Sequence, residues 1–307
     1  MSDIIAFEGV SYSYRGDWLQ RIQALKSVDF SVPEGSAYGF LGANGAGKST
    51  SIKLLTGLLH GHQGRIHLFG KPLGAAELRR SLGYLPEQPF FYENLQVREY
   101  LAYLGKLSGL RGAELDAARE RVYQRLDLGD LRKRKLGSFS KGMRQRFGLA
   151  QAILHAPELI VLDEPFSGLD PLWRARFKQI LREERERGAT LFFSSHILAD
   201  VEDLCDRYCL IDHGKILEAG AIAELFAQAP LQLVGQGPAP DGAQAHEDGT
   251  WSLTVEEDRR AEALTAVSAA GGELLRLERH RMALEDYFVQ RVAQSHAAGS
   301  TEGAAHG

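Results

Sequence analysis

The densest chemistry in the chain is the run Gly42-Ala43-Asn44-Gly45-Ala46-Gly47-Lys48-Ser49-Thr50. It fits the pattern Gly-x-x-x-x-Gly-Lys-Ser/Thr, whose glycines let the backbone turn its N–H groups inward around a polyphosphate. Lys48 is placed to reach the β- and γ-phosphates, and the Ser49 hydroxyl to ligate Mg2+. A second reactive run is Leu159-Ile160-Val161-Leu162-Asp163-Glu164, four apolar residues ending in two carboxylates. Read as a buried strand, it delivers Asp163 to the metal and Glu164, one residue further, to the water that attacks the γ-phosphate. The two runs together define the chemistry of nucleoside triphosphate hydrolysis.

Such residues need a scaffold that brings strand ends together, and the rest of the sequence supplies one. Ile4–Phe7, Ser27–Val32 and Ala37–Leu41 read as strands, the last running into the glycine-rich turn, and Lys48–Leu59 reads as the helix that follows. From about Leu95 to His155 the apolar positions take a helical period, as in Val97-Tyr100-Leu101-Leu104. After the carboxylate strand come a charged helix from about Leu172 to Arg187 and a further apolar run, Thr190–Phe193. The expected fold class is α/β, a phosphate-loop core with a helical subdomain over about 88–155 and a small appended C-terminal α/β domain. The expected divisions are a nucleotide-binding domain over 1–230, a linker over 231–250, an accessory domain over 251–294 and a disordered tail over 295–307. Within the accessory domain, Trp251–Val255 and Glu273–Leu277 read as strands, and Arg259–Ala270 and Leu284–Val292 as helices.

Composition narrows the class further. The 307 residues are 44% hydrophobic and 25% charged with a net charge of −4, which gives no electrostatic reason to expect nucleic-acid binding. The basic run Arg132–Lys135 reads as a solvated face. No stretch approaches the roughly 18 apolar residues of a membrane helix, and the first residues lack a secretory pattern, so a cytoplasmic location is expected. Cys205 and Cys209, the only cysteines, read as reduced core residues, and His60-Gly61-His62 and Arg15-Gly16-Asp17 as loops.

Further segments, in order, make the chain resemble the ABC ATPase family. Phe139-Ser140-Lys141-Gly142-Met143 resembles the ABC signature, with Lys141 and Met143 in place of the usual Gly and Gln. Ser167-Gly168-Leu169-Asp170 resembles the D-loop, and Ser194-Ser195-His196 the switch histidine after a strand. Tyr14 resembles the aromatic that stacks on adenine, with Tyr12 the competing choice. In Gly83-Tyr84-Leu85-Pro86-Glu87-Gln88, Glu87 occupies the position where many relatives have Gln, and either Glu87 or Gln88 could approach Mg2+ or the attacking water. The resemblance covers about residues 3–225.

The resemblance implies ATP and Mg2+ as ligands and a head-to-tail pair of nucleotide-binding domains. Each site then combines Lys48, Asp163, Glu164 and His196 of one subunit with Ser140 and Gly142 of the other, His196 sensing the γ-phosphate and Asp170 completing the D-loop. It also implies an integral membrane permease as a separate subunit, which holds this chain peripherally on the inner face of the cell membrane. The Lys141–Arg146 wording, the Gly83–Glu87 stretch and Leu284-Glu285-Asp286-Tyr287-Phe288 resemble the exporter branch. The alternative is a soluble ABC ATPase acting in translation or another non-transport process. Such proteins normally carry two cassettes in one chain, whereas a single phosphate loop is present here.

Overall fold

A computed structural model describes residues 2–15, 20–74, 76–228, 230–279, 288–289 and 291–294. These form two compact units, Met1–Ala219 and Gly220–Gly307. The first begins with β1 (Asp3–Arg15), β2 (Arg21–Pro33), β3 (Ala37–Leu41), α1 (Lys48–Leu55), β4 (Gln63–Leu68) and β5 (Lys71–Pro72). It continues with β6 (Leu82–Leu85), α2 (Val97–Leu107), α3 (Gly112–Arg125), α4 (Lys141–Ile153) and β7 (Leu159–Asp163). It closes with α5 (Pro171–Glu186), β8 (Thr190–Ser195), α6 (Leu198–Leu204), β9 (Arg207–Asp212) and β10 (Lys215–Ala221).

The fully buried strands take the inner positions of a six-stranded sheet ordered β10-β9-β3-β8-β7-β6. Every residue of β3, β7 and β8 is buried, the pattern of parallel strands covered on both faces. β9, β3, β8, β7 and β6 all run parallel, so their C-terminal ends share one edge. A second, antiparallel sheet is ordered β2-β1-β4-β5. The two sheets share one apolar core, in which the Phe30 ring of β2 stacks on Phe40 at 5.2 Å and on Phe192 at 5.9 Å.

The helical portion, α2 to α4, is fixed to the core by α4, which sits so close to β6 that a Cβ on Gly148 would lie 2.5 Å from Leu85 Cδ1. Phe91, Tyr100 and Phe147 interlock edge to face, with Phe91 and Phe147 centroids 4.9 Å apart. Arg125 at the end of α3 pairs with Glu183 and the buried Glu184 of α5. The Arg132–Lys135 run is surface structure, with Arg132 over the Tyr123 ring at 4.3 Å and paired with Glu120. Both cysteines are free; burial raises both thiol pKa values, Cys209 to about 12, and disfavours their thiolates.

The second unit holds α7 (Ile222–Gln228), β11 (Leu231–Gln236), β12 (Gln244–Ala245), β13 (Thr250–Val255), α8 (Arg260–Ala270) and β14 (Glu273–Arg279). Its sheet is ordered β12-β13-β11-β14, and Leu231, Leu233 and Trp251 pack with Ala263 and Val267 of α8. The expected linker over 231–250 is therefore corrected: it contains β11, the strand bonded to both β13 and β14. Gly235 signalled flexibility in the sequence, but in the fold it makes room for an indole. A Cβ there would lie 2.1 Å from Trp251 Cζ2, and the β11–β14 register shifts between Val234 and Gly235. The helix expected to reach Leu59 ends at Leu55, where Gly57 at φ 71° turns the chain. Of the expected Leu284–Val292 helix, residues 288–289 and 291–292 are helical, while 284–287 and 290, like the tail from 295, lie outside the described residues.

Candidate functional site

Four parallel strands end at one cavity of about 320 Å³, lined by Ala43, Asn44, Gly45, Gly47, Lys48, Ser49, Thr50, Glu87, Glu164, Ser167 and His196. β3 delivers the glycine-rich loop, β6 delivers Glu87, β7 delivers Glu164 and β8 delivers His196. Binding at the carboxyl ends of such strands is the general rule for open α/β sheets. The loop holds its shape for steric reasons. A Cβ on Gly42 would lie 2.3 Å from the Ile211 carbonyl oxygen, and Gly47, at φ 116°, lies against Leu25 and Ala24.

The Lys48 ammonium, 5% exposed, donates to the carbonyls of Gly42 at 2.7 Å and Ala43 at 3.2 Å and stands 3.5 Å from Glu164 Oε1. Glu164 Oε2 meets His196 Nδ1 at 2.9 Å, whereas Oε1 is buried and carries no hydrogen bond. Glu164 also takes a left-handed backbone at φ 48°, a conformation that non-glycine residues hold only when their surroundings fix it. Its surroundings do so: the Glu164 amide donates to Ser194 Oγ at 3.0 Å, and Ser194 donates to Asp163 Oδ1 at 2.6 Å. The same Asp163 oxygen accepts from Ser49 Oγ at 3.2 Å. Buried Ser194 is thus the hinge between the two carboxylates, a role the motif reading did not assign to it. The Ser194-Ser195-His196 segment carried the signal, but only strand pairing of Asp163 with Ser194 reveals the contact.

The remaining expected residues divide by position. Tyr14 of β1 touches the loop through its hydroxyl, 3.2 Å from Thr50 Oγ1, and stands edge-on to Tyr12 at 5.1 Å, while Tyr12 packs on the core. Ala46 is buried inside the loop. Of the two residues after Pro86, Glu87 lines the cavity, and Gln88 lines an adjoining one with Lys141, Arg144 and Gln145. Ser140, Gly142 and Asp170 are not in the cavity wall of this chain. Ser140 caps α4 by accepting the Met143 amide at 3.3 Å, and Asp170 caps α5 by accepting the Trp173 amide at 2.9 Å. Among the described residues no group of three or more His, Cys, Asp and Glu is placed to hold a metal ion.

The arrangement is that of a phosphate-loop nucleoside triphosphatase: a basic cradle for phosphates, hard oxygens beside it and a carboxylate held between a lysine and a histidine. Comparison with known proteins narrows this class. The ABC transporter family model matches residues 25–167. An uncharacterized ABC transporter ATP-binding protein of Synechocystis is 36% identical over 299 residues, spanning 93% of this chain and 83% of the relative. The bacitracin transport ATP-binding protein BcrA of Bacillus licheniformis is 35% identical over 286 residues, spanning 87% and 92%. A solved structure of an ATP-binding subunit of an ABC transporter superposes with a TM-score of 0.66 at 32% identity, over 72% of this chain and 91% of that one. The chain belongs to the family of ABC transporter ATP-binding subunits and is an ABC-type ATPase. No described helix is long and apolar enough to cross a membrane.

Proposed function

We propose that this chain hydrolyses MgATP at a composite site shared by two nucleotide-binding domains and thereby drives export through a separate membrane permease. The observation that carries the reading is the convergence of Lys48, Glu164 and His196 on one cavity at the ends of parallel strands.

Lys48 and the loop amides hold the β- and γ-phosphates, and Tyr14, beside Thr50, offers its ring to the adenine. Mg2+ fits the Ser49 and Asp163 oxygens, which already share a hydrogen bond, and when bound it neutralises charge on the phosphate oxygens. Glu87 is the second acidic residue of the cavity wall, beside Glu164, while Gln88 lines only the adjoining cavity. The Glu164 Oε1 atom, buried and without a hydrogen bond, accepts the proton of the attacking water. His196 holds the other oxygen and answers to the γ-phosphate, so its contact with Glu164 changes when that phosphate leaves.

Ser140 and Gly142, outside the cavity of their own chain, serve the nucleotide of a second domain, and Asp170 caps α5 at the end of the loop that follows Glu164. The permease reading draws support from exposed Phe90 and Tyr92, just before α2, and exposed Tyr103 of α2, with Tyr92 and Tyr103 both against the Tyr100 ring. Association with the inner face of the membrane follows from that contact.

Glu164→Gln should keep ATP affinity, lower turnover by at least about a hundredfold and accumulate an ATP-bound dimer on size exclusion. Undiminished turnover of that variant in complex with its membrane partner would reject Glu164 as the base.

A further inference from the structure

The signature helix α4 is strapped to the loop that follows Glu164 in the same chain. Buried Gln145 donates from Nε2 to the Pro165 carbonyl at 2.9 Å, and the Arg146 guanidinium lies 3.8 Å from the centroid of the Trp173 ring. Lys141, one helical turn before Gln145, completes the strap. Its aliphatic stem covers Gly168 so closely that a Cβ there would lie 2.6 Å from Cε and 2.7 Å from Cδ, and Gly168 sits at φ 73°. Its ammonium approaches Ser167 Oγ at 3.4 Å. Ser167 lines the phosphate cavity, whereas Lys141 lines only the adjoining cavity of about 490 Å³. Gly142, the next residue, is in turn within ordinary contact of Gly168, whose carbonyl oxygen would lie 3.5 Å from an added Cβ.

We infer that Lys141 is a positioning residue that couples the hydrolytic loop of its own chain to the signature segment the same chain presents to the second nucleotide. The inference rests on the composite-site reading above. An exposed ammonium at 3.4 Å contributes little by itself. The stem is the flexible end of an exposed side chain and biases the position of Gly168, while the buried Gln145–Pro165 bond holds α4 to the same loop, and Ser140 and Gly142 flank Lys141 in the chain. A displacement of the Glu164–Asp170 loop is thereby transmitted to the start of α4. In a head-to-tail pair this links the two ATP sites through each subunit.

The test uses the full chain purified with its co-purifying membrane complex. Lys141→Gly removes stem and ammonium, Lys141→Met keeps most of the stem, and Lys141→Arg restores both. For Lys141→Gly, kcat should fall about three- to tenfold and the Hill coefficient for ATP should move toward one, with KM changed less than about twofold. Lys141→Met should lie between, and Lys141→Arg should recover the parent values. Adding Ser167→Ala to Lys141→Gly should be less than multiplicative, because both act on one contact. Unchanged kcat and Hill coefficient in Lys141→Gly, strictly multiplicative effects with Ser167→Ala, or a change confined to KM would each overturn the inference. Should Lys141→Gly fail to fold, the Lys141→Met and Ser167→Ala pair carries the same test. Ser140→Arg separates the two levels. Full turnover in that variant overturns the composite site and the inference with it, whereas blocked turnover beside an indifferent Lys141→Gly overturns the inference alone.

Discussion

The six-stranded sheet of the first unit and the four-stranded sheet of the second both bury apolar side chains, yet they gather polar groups in different places. In the first, β3, β6, β7 and β8 are parallel, so the residues that follow each strand arrive at the same edge. In the second, β11 runs antiparallel to both β13 and β14, and successive strand ends point to opposite edges. Its polar residues satisfy one another locally: His246 meets Ser252 at 2.9 Å, and Asp248 accepts from the Thr250 hydroxyl at 2.6 Å. Strand direction separates the two: polar groups of the first unit meet beyond parallel strand ends, whereas His246, Asp248, Ser252 and Arg276 of the second line a cavity along the sheet itself.

That contrast can be broken most severely in the second unit. Trp251→Ala should cost about 3–5 kcal/mol of that unit's stability, because the indole fills the space above Gly235 and Gly272. Hydrogen exchange should rise over β11 to β14, while the affinity for a fluorescent ATP analogue, whose cavity lies wholly within residues 43–196, stays within about twofold. A parallel loss of nucleotide affinity would show that the second unit does contribute to the site.

Ser194→Ala tests the first unit from the inside. It removes the hydroxyl that joins Asp163 to the Glu164 amide, so it should cost about 1–3 kcal/mol and slow turnover about tenfold. Normal kinetics would mean that the left-handed backbone at Glu164 is held by something other than Ser194.

The smallest effect concerns pH. Burial holds the His155 imidazole below its ordinary pKa; nearby Arg121 and Arg187 act the same way, and a backbone bond at Leu82 opposes them. A folded pKa below the unfolded value means that the unfolded chain binds more protons in the imidazole range. Stability is then complete above the ordinary histidine pKa and falls as pH drops below it. His155→Gln should flatten the denaturation midpoint of the first unit between about pH 7.5 and about pH 5. An unchanged slope would place the acid sensitivity elsewhere.

Much of this fold was legible in the residue pattern, for identifiable reasons. β3, β7 and β8 each contain a short apolar run, Leu159–Leu162 and Leu191–Phe193 in the latter two, and burial on both faces leaves such runs few alternatives. The start of α5 was off by one residue because Asp170 caps it and Pro171 opens it. β6, the four residues Leu82-Gly83-Tyr84-Leu85, and β11 around Gly235 are not legible in the pattern, since a glycine in a short strand looks the same in sequence as a glycine in a loop. Both glycines answer to a neighbour across the fold: the Ala152 carbonyl oxygen would lie 2.1 Å from a Cβ on Gly83, as Trp251 does for Gly235.

By itself the sequence determined the chemistry, because the phosphate loop, the Asp163-Glu164 pair and His196 are set by residue type and by distance from a strand end. Tertiary structure alone decided which neighbours share the work. It set Glu87, and not Gln88, in the wall of the phosphate cavity, made Ser194 the link between the carboxylates, and laid Lys141 across Gly168. Each of the last two contacts joins residues more than 25 positions apart, and strand pairing or helix packing, which local sequence does not encode, brings them within bonding distance.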